Sequence, residues 1–223
     1  MAKVPVAILI SGRGSNMAAL LRAALAEDYP AEVVLVLSNV PSAEGILHAQ
    51  EKGIPFKIVD HKAFETREEH DDAVSAALTE VGAEYVCLAG YMRILTEAFV
   101  NQWRGRLLNM HPSLLPSFPG VDTHARALER GVRVHGCTVH FVNNELDGGP
   151  IIAQSVVPVL PEDDADTLGA RVLEQEHALF PHVLALVATQ TVRWSGDNAV
   201  IATDVAAQDL CFWPVMKPET PAD

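Results

Sequence analysis

Hydrophobic patterns typical of strands and helices alternate along the first half of the chain, and this order limits the folds that the chain can adopt. Apolar runs predict buried strands, and apolar residues at helical spacing predict helices between them. The predicted strands are 6–11, 33–38, 56–59, 85–89 and 106–110, and the predicted helices are 17–24, 43–52 and 68–81. Strands and helices in this order form a mostly parallel twisted sheet with helices on both faces. The sequence therefore predicts an α/β fold.

The pattern changes after Gly120. A short helix is predicted at 123–130. Two strand patterns, 134–142 and 151–159, then follow one another with only the loop 143–150 between them. A loop of this length joins neighbouring antiparallel strands more readily than parallel ones, so antiparallel strands are expected toward the C-terminal part.

A long helix and a hairpin are predicted next. Asp166 or Thr167 is expected to cap the helix. Pro181 is expected to kink or interrupt it, because proline lacks the N–H that a helix interior uses. Residues 191–202 are predicted to form a hairpin around Gly196.

The length of 223 residues fits one domain with two lobes, since neither a repeat nor a linker-like change of composition divides the chain. We expect a single domain over residues 1–203, with an N-terminal lobe of about 1–105 and a C-terminal lobe of about 106–203. The segment 204–223 contains proline and acidic residues and is expected to be an irregular tail.

The net charge of −13 argues against nucleic acid or an anionic membrane as the main partner, because both are bound by basic surfaces. The three cysteines, Cys87, Cys137 and Cys211, form no CxxC pair, so neither a disulfide framework nor a zinc site is predicted. The reducing cytoplasm is the expected location. The apolar run 4–10 is too short for a signal or transmembrane segment.

Residues 107–120 carry the most specific chemical pattern in the chain. A buried-strand pattern ends in two polar residues, Asn109 and His111, and three prolines and a glycine follow within nine residues. Alternation along a strand places both side chains on one face. An amide donor and an imidazole at a strand end, beside a stiff loop, are typical of a reaction centre. The alternative is a buried strand and a proline-rich turn in which the histidine is merely hydrogen-bonded.

The segment Ser-Gly-Arg-Gly-Ser-Asn at 11–16 connects the first predicted strand to the first helix. Glycines let backbone N–H groups turn toward a ligand, and the positive end of a helix favours an anion. Ser15 and Asn16 add side-chain donors and are expected to cap the helix. Met17 replaces the third glycine of the dinucleotide fingerprint and the Walker lysine is missing, so neither an NAD nor an ATP loop is predicted. A tight turn before a capped helix is the alternative.

Two carboxylates downstream are further candidates. Asp147 lies in Asp-Gly-Gly-Pro, where it is either a turn residue or a carboxylate aimed at His111 that stabilises the charged imidazole. Glu176 shares a helix face with apolar residues such as Val172 and Leu179. A carboxylate in that position is either paired, faces a cleft, or reaches water from the edge of the face.

No metal site is predicted. His124, His135 and His140 lie near His111 in the sequence, but neither HxH nor HExxH spacing occurs.

Together these motifs resemble the formyltransferase family that uses 10-formyltetrahydrofolate. The resemblance rests on residues 109–120, on Thr123-His124 and on Leu-Asp-Gly-Gly-Pro at 146–150. Ile-Ser-Gly-Arg-Gly-Ser-Asn at 10–16 and Gln-Glu-His at 175–177 look like the phosphoribosylglycinamide formyltransferases within that family. The similarity extends from about residue 4 to about 195 and implies a Rossmann-like formyltransferase fold.

The resemblance implies a reaction and assigns residues to it. The amine of glycinamide ribonucleotide (GAR) would take the formyl group of 10-formyltetrahydrofolate, a co-substrate, in purine synthesis without metal or ATP. The implied catalytic residues are Asn109, His111 and Asp147. The implied GAR-binding residues are Gly14, Ser15, Asn16 and Glu176. The first three would hold the phosphate of GAR, and Glu176 would face its ribose. The implied folate-binding residues are Arg67, Met92, Arg93, Ile94, Leu95, Asn109, Asn143, Asn144, Glu145 and Leu146. The implied partners are these small molecules, with neither nucleic acid nor membrane, and the protein is expected to be a monomer or homodimer.

Three alternatives remain beside this assignment. Methionyl-tRNA formyltransferase shares the Asn/His/Asp centre but normally carries a further C-terminal domain, and the roughly thirty residues after the last predicted helix are too few for a barrel. Formyltetrahydrofolate hydrolase usually carries a regulatory domain ahead of the centre, whereas this chain starts at its first strand. A nucleotide-sensing module with a decayed centre is the non-enzyme alternative, and the complete Asn/His/Asp set argues against it.

Overall fold

The computed structural model describes residues 2–196, 198–202, 206 and 210–212. Its strands are β1 (Val4–Ile10), β2 (Ala31–Ser38), β3 (Phe56–Ile58), β4 (Tyr85–Leu88), β5 (Leu107–His111), β6 (Val134–Phe141), β7 (Ile151–Pro158), β8 (Val192–Ser195), β9 (Asn198–Ile201) and β10 (Cys211–Phe212). Its α-helices are α1 (Ser15–Ala24), α2 (Gly45–Glu51), α3 (Arg67–Glu80), α4 (Glu97–Gln102), α5 (Thr123–Glu129) and α6 (Ala165–Ala188), with a 3₁₀ helix at His61–Ala63. Within the described residues, no helix has the length and apolar character that crossing a membrane requires.

One sheet of eight strands organises the molecule, in the order β10-β7-β6-β5-β4-β1-β2-β3. β1 to β5 pair in parallel with one another, whereas β6 runs antiparallel to β5, and β7 antiparallel to β6. This confirms the predicted α/β class, with antiparallel strands in the C-terminal part. The strand order reverses between β1 and β4, and in open α/β sheets the crevice outside such a reversal is where ligands bind.

The central strands are buried on both faces, which explains why their sequences are continuous apolar runs. In β1, Val6, Ile8 and Ile10 belong to one hydrophobic cluster, and Ala7 and Leu9 belong to another on the opposite face. The first cluster includes buried residues of α1 and α6, and the second includes buried residues of α3 and α4. The two layers hold the carboxyl ends of β1, β4 and β5 at one edge of the sheet.

The long helix α6 differs from its prediction in two ways. Its N-cap is Asp164 rather than Asp166 or Thr167: the Asp164 carboxylate accepts from the Thr167 N–H at 2.8 Å, and the Thr167 hydroxyl accepts from the Asp164 N–H at 2.9 Å. This reciprocal pair is a capping box. The helix also runs through Pro181 without interruption, while the alternative expectation, a kink at Pro181, stays a prediction. Phe180 and Val183 on either side of the proline are fully buried, and this packing offsets the loss of one backbone hydrogen bond.

The C-terminal part is partly as predicted. The hairpin is confirmed: β8 and β9 pair antiparallel, and Gly196 between them has a φ of 61°. The irregular tail predicted for 204–223 is wrong at Cys211–Phe212, where a two-residue strand pairs parallel with β7 and extends the sheet. The rest of that segment, apart from 206 and 210, lies outside the described residues. The division into lobes near residue 105 stays a prediction.

We expect Gly136→Ala to destabilise the protein, because a Cβ at this position in β6 would overlap the carbonyl oxygen of Ser155 on β7. The strands would have to separate, at a cost of roughly 2 kcal/mol or more. The control is Gly12→Ala, where an added Cβ meets no atom within 4 Å. Urea unfolding of the two variants measures the difference, and equal free energies of unfolding would contradict the prediction.

Candidate active site

The end of β5 carries the two polar side chains that alternation predicts on one face. Asp147, from the loop between β6 and β7, lies beside them: its Oδ2 is 3.4 Å from Nδ1 of His111. Asn109 and Asp147 both lie close to the same ring nitrogen, Nε2 of His140, at 3.1 and 4.0 Å respectively. The predicted approach of Asp147 to His111 is therefore confirmed, and the three predicted catalytic residues form one cluster.

The loop conformation directs the Asp147 carboxylate into this cluster. Asp147 has a φ of 52°, in the left-handed region that aspartate tolerates better than most residues. Its Oδ2 accepts a hydrogen bond from the N–H of Gly120 at 2.7 Å. A Cβ at Gly149 would overlap the carbonyl oxygen of Phe141, so a glycine is needed where the loop returns past β6. The carboxylate is thus largely buried and is held through its Oδ2.

The proline-rich loop after β5 holds the other side of His111. Its Nε2 lies 3.0 Å from the carbonyl oxygen of Phe118, and the Ser113 hydroxyl donates to the carbonyl oxygens of Ser117 and Phe118. Phe118 and Asp147 both offer acceptors to the ring, so an imidazole with a proton on each nitrogen satisfies both. The ring of His111 is thus held between two acceptors, one from each neighbouring loop.

His140 is a member of the cluster that the sequence analysis did not assign to the site. It lies directly opposite Asn109 in the antiparallel pair of β5 and β6, and it is 2% exposed. Burial is the main cause that lowers its pKa, and the nearby charge of His111 lowers it further. His140 lies within an apolar strand pattern, which by itself does not indicate a functional residue. Its position opposite Asn109 depends on the register of β5 against β6, which the spacing of residues along one strand does not reveal.

The glycine loop after β1 presents backbone donors at the start of α1. The cap of this helix is Gly14, with a φ of 75° and no side-chain hydrogen bond, so the prediction that Ser15 and Asn16 cap the helix is wrong. Gly14 takes that position because it approaches Gly45 at the start of α2, and a Cβ there would lie 2.9 Å from the Gly45 Cα. The first bond within the helix joins the N–H of Ala18 to the carbonyl of Gly14, which leaves the N–H groups of 15–17 without helical acceptors.

Glu176 from α6 reaches this loop. It is 6% exposed, and its Oε2 accepts a hydrogen bond from Nδ2 of Asn16 at 2.5 Å. Burial raises the pKa of Glu176, and the hydrogen bond from Asn16 lowers it in part. Of the possibilities left open by the sequence, the paired carboxylate is the one observed. The Oδ1 of Asn16 is buried beside it without a hydrogen-bond partner among the described residues.

The glycine loop and the loop after β4 meet at the point where the strand order reverses. The N–H of Ser11 donates to the carbonyl of Gly90 at 3.1 Å. The Ser11 hydroxyl accepts from the N–H of Met92 at 2.8 Å and donates to Oδ1 of Asn39 at 2.6 Å. The start of the segment 92–95 is therefore fixed to the loop that precedes α1.

Apart from Asn109 on β5, the residues implied to bind folate lie on three segments, and one of them, the β6–β7 loop, contacts the helix that follows another, the segment 92–95. Met92 and Ile94 after β4 are 71% and 62% exposed, and Leu146 in the β6–β7 loop is 65% exposed. Asn144 of that loop donates to side-chain oxygens of α4, the helix that follows the segment 92–95. Within this set Arg93 and Leu95 are half-buried, and Glu145 is exposed. The side-chain oxygen of Asn143 accepts a hydrogen bond from the N–H of Glu145 in the same loop.

Arg67 lies apart from these contacts. It is the exposed first residue of α3, one turn before Asp71. The Asp71 carboxylate accepts from the N–H of Thr96 at 2.7 Å, so the same end of α3 does reach the end of the segment 92–95. The side-chain hydrogen bonds and ion pairs seen among the described residues do not include the guanidinium of Arg67.

The other histidines of this region form a separate pair. Nδ1 of His124 lies 3.1 Å from Nε2 of His135. Burial lowers the pKa of His135 to about 4, so a hydrogen-bonded neutral pair results. In the described part of the chain, no group of three or more His, Cys, Asp or Glu side chains has an arrangement that could hold a metal ion.

Comparison with known proteins identifies the family. The formyl transferase family model matches residues 4–184. The chain is a member of the formyl transferase family. The phosphoribosylglycinamide formyltransferase of Escherichia coli (strain K12) is 45% identical to this family member over 180 residues, which cover 81% of this chain and 85% of that protein.

Two further relatives extend the comparison. The crystal structure of phosphoribosylglycinamide formyltransferase from Anaplasma phagocytophilum has a TM-score of 0.86 and 38% sequence identity, and it covers 96% of this chain and 100% of that one. The trifunctional purine biosynthetic protein adenosine-3 of Gallus gallus is 51% identical over 191 residues, 86% of this chain. The family member spans only 19% of the length of that trifunctional protein.

We expect Asn16→Leu to raise the pKa of Glu176 further, because the substitution removes the hydrogen bond that favours the carboxylate and keeps the side-chain volume. Titration of glutamate side chains followed by ¹³C NMR measures the shift, with Glu176→Gln used to assign the resonance. A pKa that stays constant or falls would show that Asn16 does not stabilise the ionised form.

Proposed function

We propose that this formyltransferase transfers the formyl group of 10-formyltetrahydrofolate to the amine of GAR, giving formyl-GAR and tetrahydrofolate in purine synthesis. The observation that carries the proposal is the assembly of Asn109, His111 and Asp147 at the carboxyl end of β5, in a chain of this family. The relatives named phosphoribosylglycinamide formyltransferase match over most of their own length, which supports GAR as the acceptor.

The chemistry of formyl transfer requires what this cluster offers. The amine nitrogen bonds to the formyl carbon and loses a proton, and the formyl oxygen becomes an oxyanion. The bond from that carbon to the folate nitrogen then breaks, and the folate nitrogen gains a proton. Asn109 supplies a fixed amide N–H for the oxyanion. The buried pair of His111 and Asp147 holds the proton that must pass from one nitrogen to the other.

GAR is proposed to bind across the glycine loop. The free N–H groups at the start of α1, with Gly14, Ser15 and Asn16, suit its phosphate, because a helix start combines unpaired donors with a positive dipole end. Glu176 is proposed to accept from the ribose hydroxyls, since its carboxylate lies beside Asn16 at the base of this loop.

10-Formyltetrahydrofolate is the proposed co-substrate. The exposed apolar side chains of Met92, Ile94 and Leu146 suit a planar ring system. Arg93 and Leu95 of the segment 92–95, the loop residues 143–145 and Arg67 are proposed to complete the folate site. Arg67 is assigned on the resemblance alone. The reaction as proposed uses no metal, and a monomeric or homodimeric state remains a prediction.

The acceptor is tested by offering one acceptor at a time in an assay of tetrahydrofolate release. We expect GAR to support release and charged initiator methionyl-tRNA or water not to support it. The charge of −13 is consistent with the exclusion of tRNA. His111→Ala should abolish the GAR-dependent release, and equal release with water as the acceptor would overturn the proposal in favour of a hydrolase.

We expect Asp147→Asn to lower kcat by about 10²-fold or more, because the imidazolium of His111 loses the charge that stabilises it. The pH profile of kcat should shift with it. Asp122→Asn is a matched control, since Asp122 also has a positive φ, 55°, but is exposed. An unchanged pH profile in Asp147→Asn would remove Asp147 from the catalytic set.

We expect Ser15→Ala to raise the KM for GAR more than the KM for the folate, because Ser15 begins the helix whose N–H groups are proposed to hold the GAR phosphate. Ile94→Ala, on the proposed folate segment, should give the opposite pattern. Steady-state kinetics with each substrate varied in turn measures both ratios. The reverse result for Ser15→Ala would contradict the phosphate assignment.

A further inference from the structure

His140 occupies a position from which it can control the orientation of Asn109. The two residues are directly opposite each other in the antiparallel pair of β5 and β6. Nε2 of His140 and Nδ2 of Asn109 are 3.1 Å apart, a hydrogen-bond distance. The His140 side chain is 2% exposed, so water does not compete freely for this contact.

The second ring nitrogen of His140 determines what the first can do. Nδ1 lies 2.8 Å from the carbonyl oxygen of Phe141, which can only accept, so Nδ1 carries a proton. Burial and the neighbouring His111 lower the pKa of His140, while the Phe141 carbonyl and Asp147 oppose this. The ring that satisfies these conditions is the neutral one with its proton on Nδ1. Its Nε2 then has only a lone pair to offer Asn109.

A lone pair at Nε2 selects one of the two orientations of the Asn109 amide. With the NH₂ group toward His140, one N–H donates to Nε2. With the amide turned over, the Asn109 carbonyl oxygen would face the lone pair and be repelled. Only the first orientation leaves the second N–H of the same group free to donate to another oxygen. The amide direction follows from the proton on the far side of the histidine.

We propose that His140 is a positioning residue of the formyl transfer: as the neutral Nδ1–H form it accepts a hydrogen bond from Asn109 and so directs the other N–H of that amide toward the formyl oxygen. This proposal rests on the function proposed above for Asn109. His140 does not touch the reacting atoms in this role and transfers no proton. The ionisable groups that face it are Asp147, at 4.0 Å, and His111.

The first test is a double-mutant cycle on the single-turnover rate of formyl transfer. His140→Leu should lower this rate about 10-fold or more in the otherwise unchanged enzyme and less than about 3-fold in the Asn109→Ala background, because the effect passes through Asn109. The KM for GAR should change little. His140→Gln, whose amide oxygen can accept from Asn109, should recover part of the rate.

The control is His135→Leu. His135 lies on the same strand and is equally buried, but its contact is with His124 rather than Asn109. Any loss of rate in His135→Leu should be the same in both backgrounds. Equal losses for His140→Leu in the two backgrounds would overturn the proposal. If the leucine variant does not fold, the glutamine variant carries the same comparison.

The second test is independent of the substrate. In ¹⁵N NMR spectra of the unliganded protein, Nδ1 of His140 should be the protonated nitrogen and Nε2 the unprotonated one, and the side-chain amide resonance of Asn109 should shift in His140→Gln. A proton on Nε2 of His140 would refute the proposal even if GAR is formylated. Absence of GAR formylation with the expected NMR pattern would instead place the failure in the proposed function.

Discussion

The buried contact between His111 and Asp147 holds together the three segments from which the centre is built. One partner comes from β5, and the other comes from the β6–β7 loop and also binds the N–H of Gly120 in the proline-rich loop. An unpaired charge at this depth would cost several kcal/mol, so each segment is stable in its place only while the other two are present. The geometry of the cluster therefore depends on a contact between residues that are nearly forty positions apart in the sequence.

The crevice beside this cluster follows from sheet topology. The glycine loop leaves β1 and the segment 92–95 leaves β4 at the reversal of strand order, the place where open α/β sheets bind their ligands. Ser11 bonds the two loops at their bases, while Glu176 and Asn16 fix the far wall on α6 and α1. Beside these paired groups, the N–H groups of 15–17 lack helical acceptors, and the buried Oδ1 of Asn16 has no hydrogen-bond partner among the described residues.

Local patterns predicted much of this arrangement. The alternation of Asn109 and His111, the glycine loop at a helix start and the α/β class all depend on spacing within a few residues, and spacing is what a sequence displays. The capping of α1 failed because Gly14 is required by its close approach to Gly45, a contact across thirty residues. The continuity of α6 through Pro181 depends on tertiary packing that exceeds the local cost.

The role of His140 was invisible for a related reason. Its pairing with Asn109 requires the register of β5 against β6, and the ladder between β6 and β7 is itself irregular between Val139 and His140. Counting residues along β6 cannot locate such an irregularity. The meeting of Asp147 with His111 was raised as a possibility by the turn sequence, but the direction of that loop is set by Gly149 passing close to Phe141.

The left-handed backbone at Asp147 has a consequence for how this site can change over evolutionary time. Few side chains adopt that conformation without strain, and glycine, asparagine and aspartate are the ones that do so most readily. A descendant that lost its chemistry would thus be expected to keep one of these three residues for the sake of the turn alone. Of these three residue types, only aspartate supplies a negative charge. A single base change that replaces Asp147 with asparagine can therefore abolish the chemistry while leaving the shape of the loop intact.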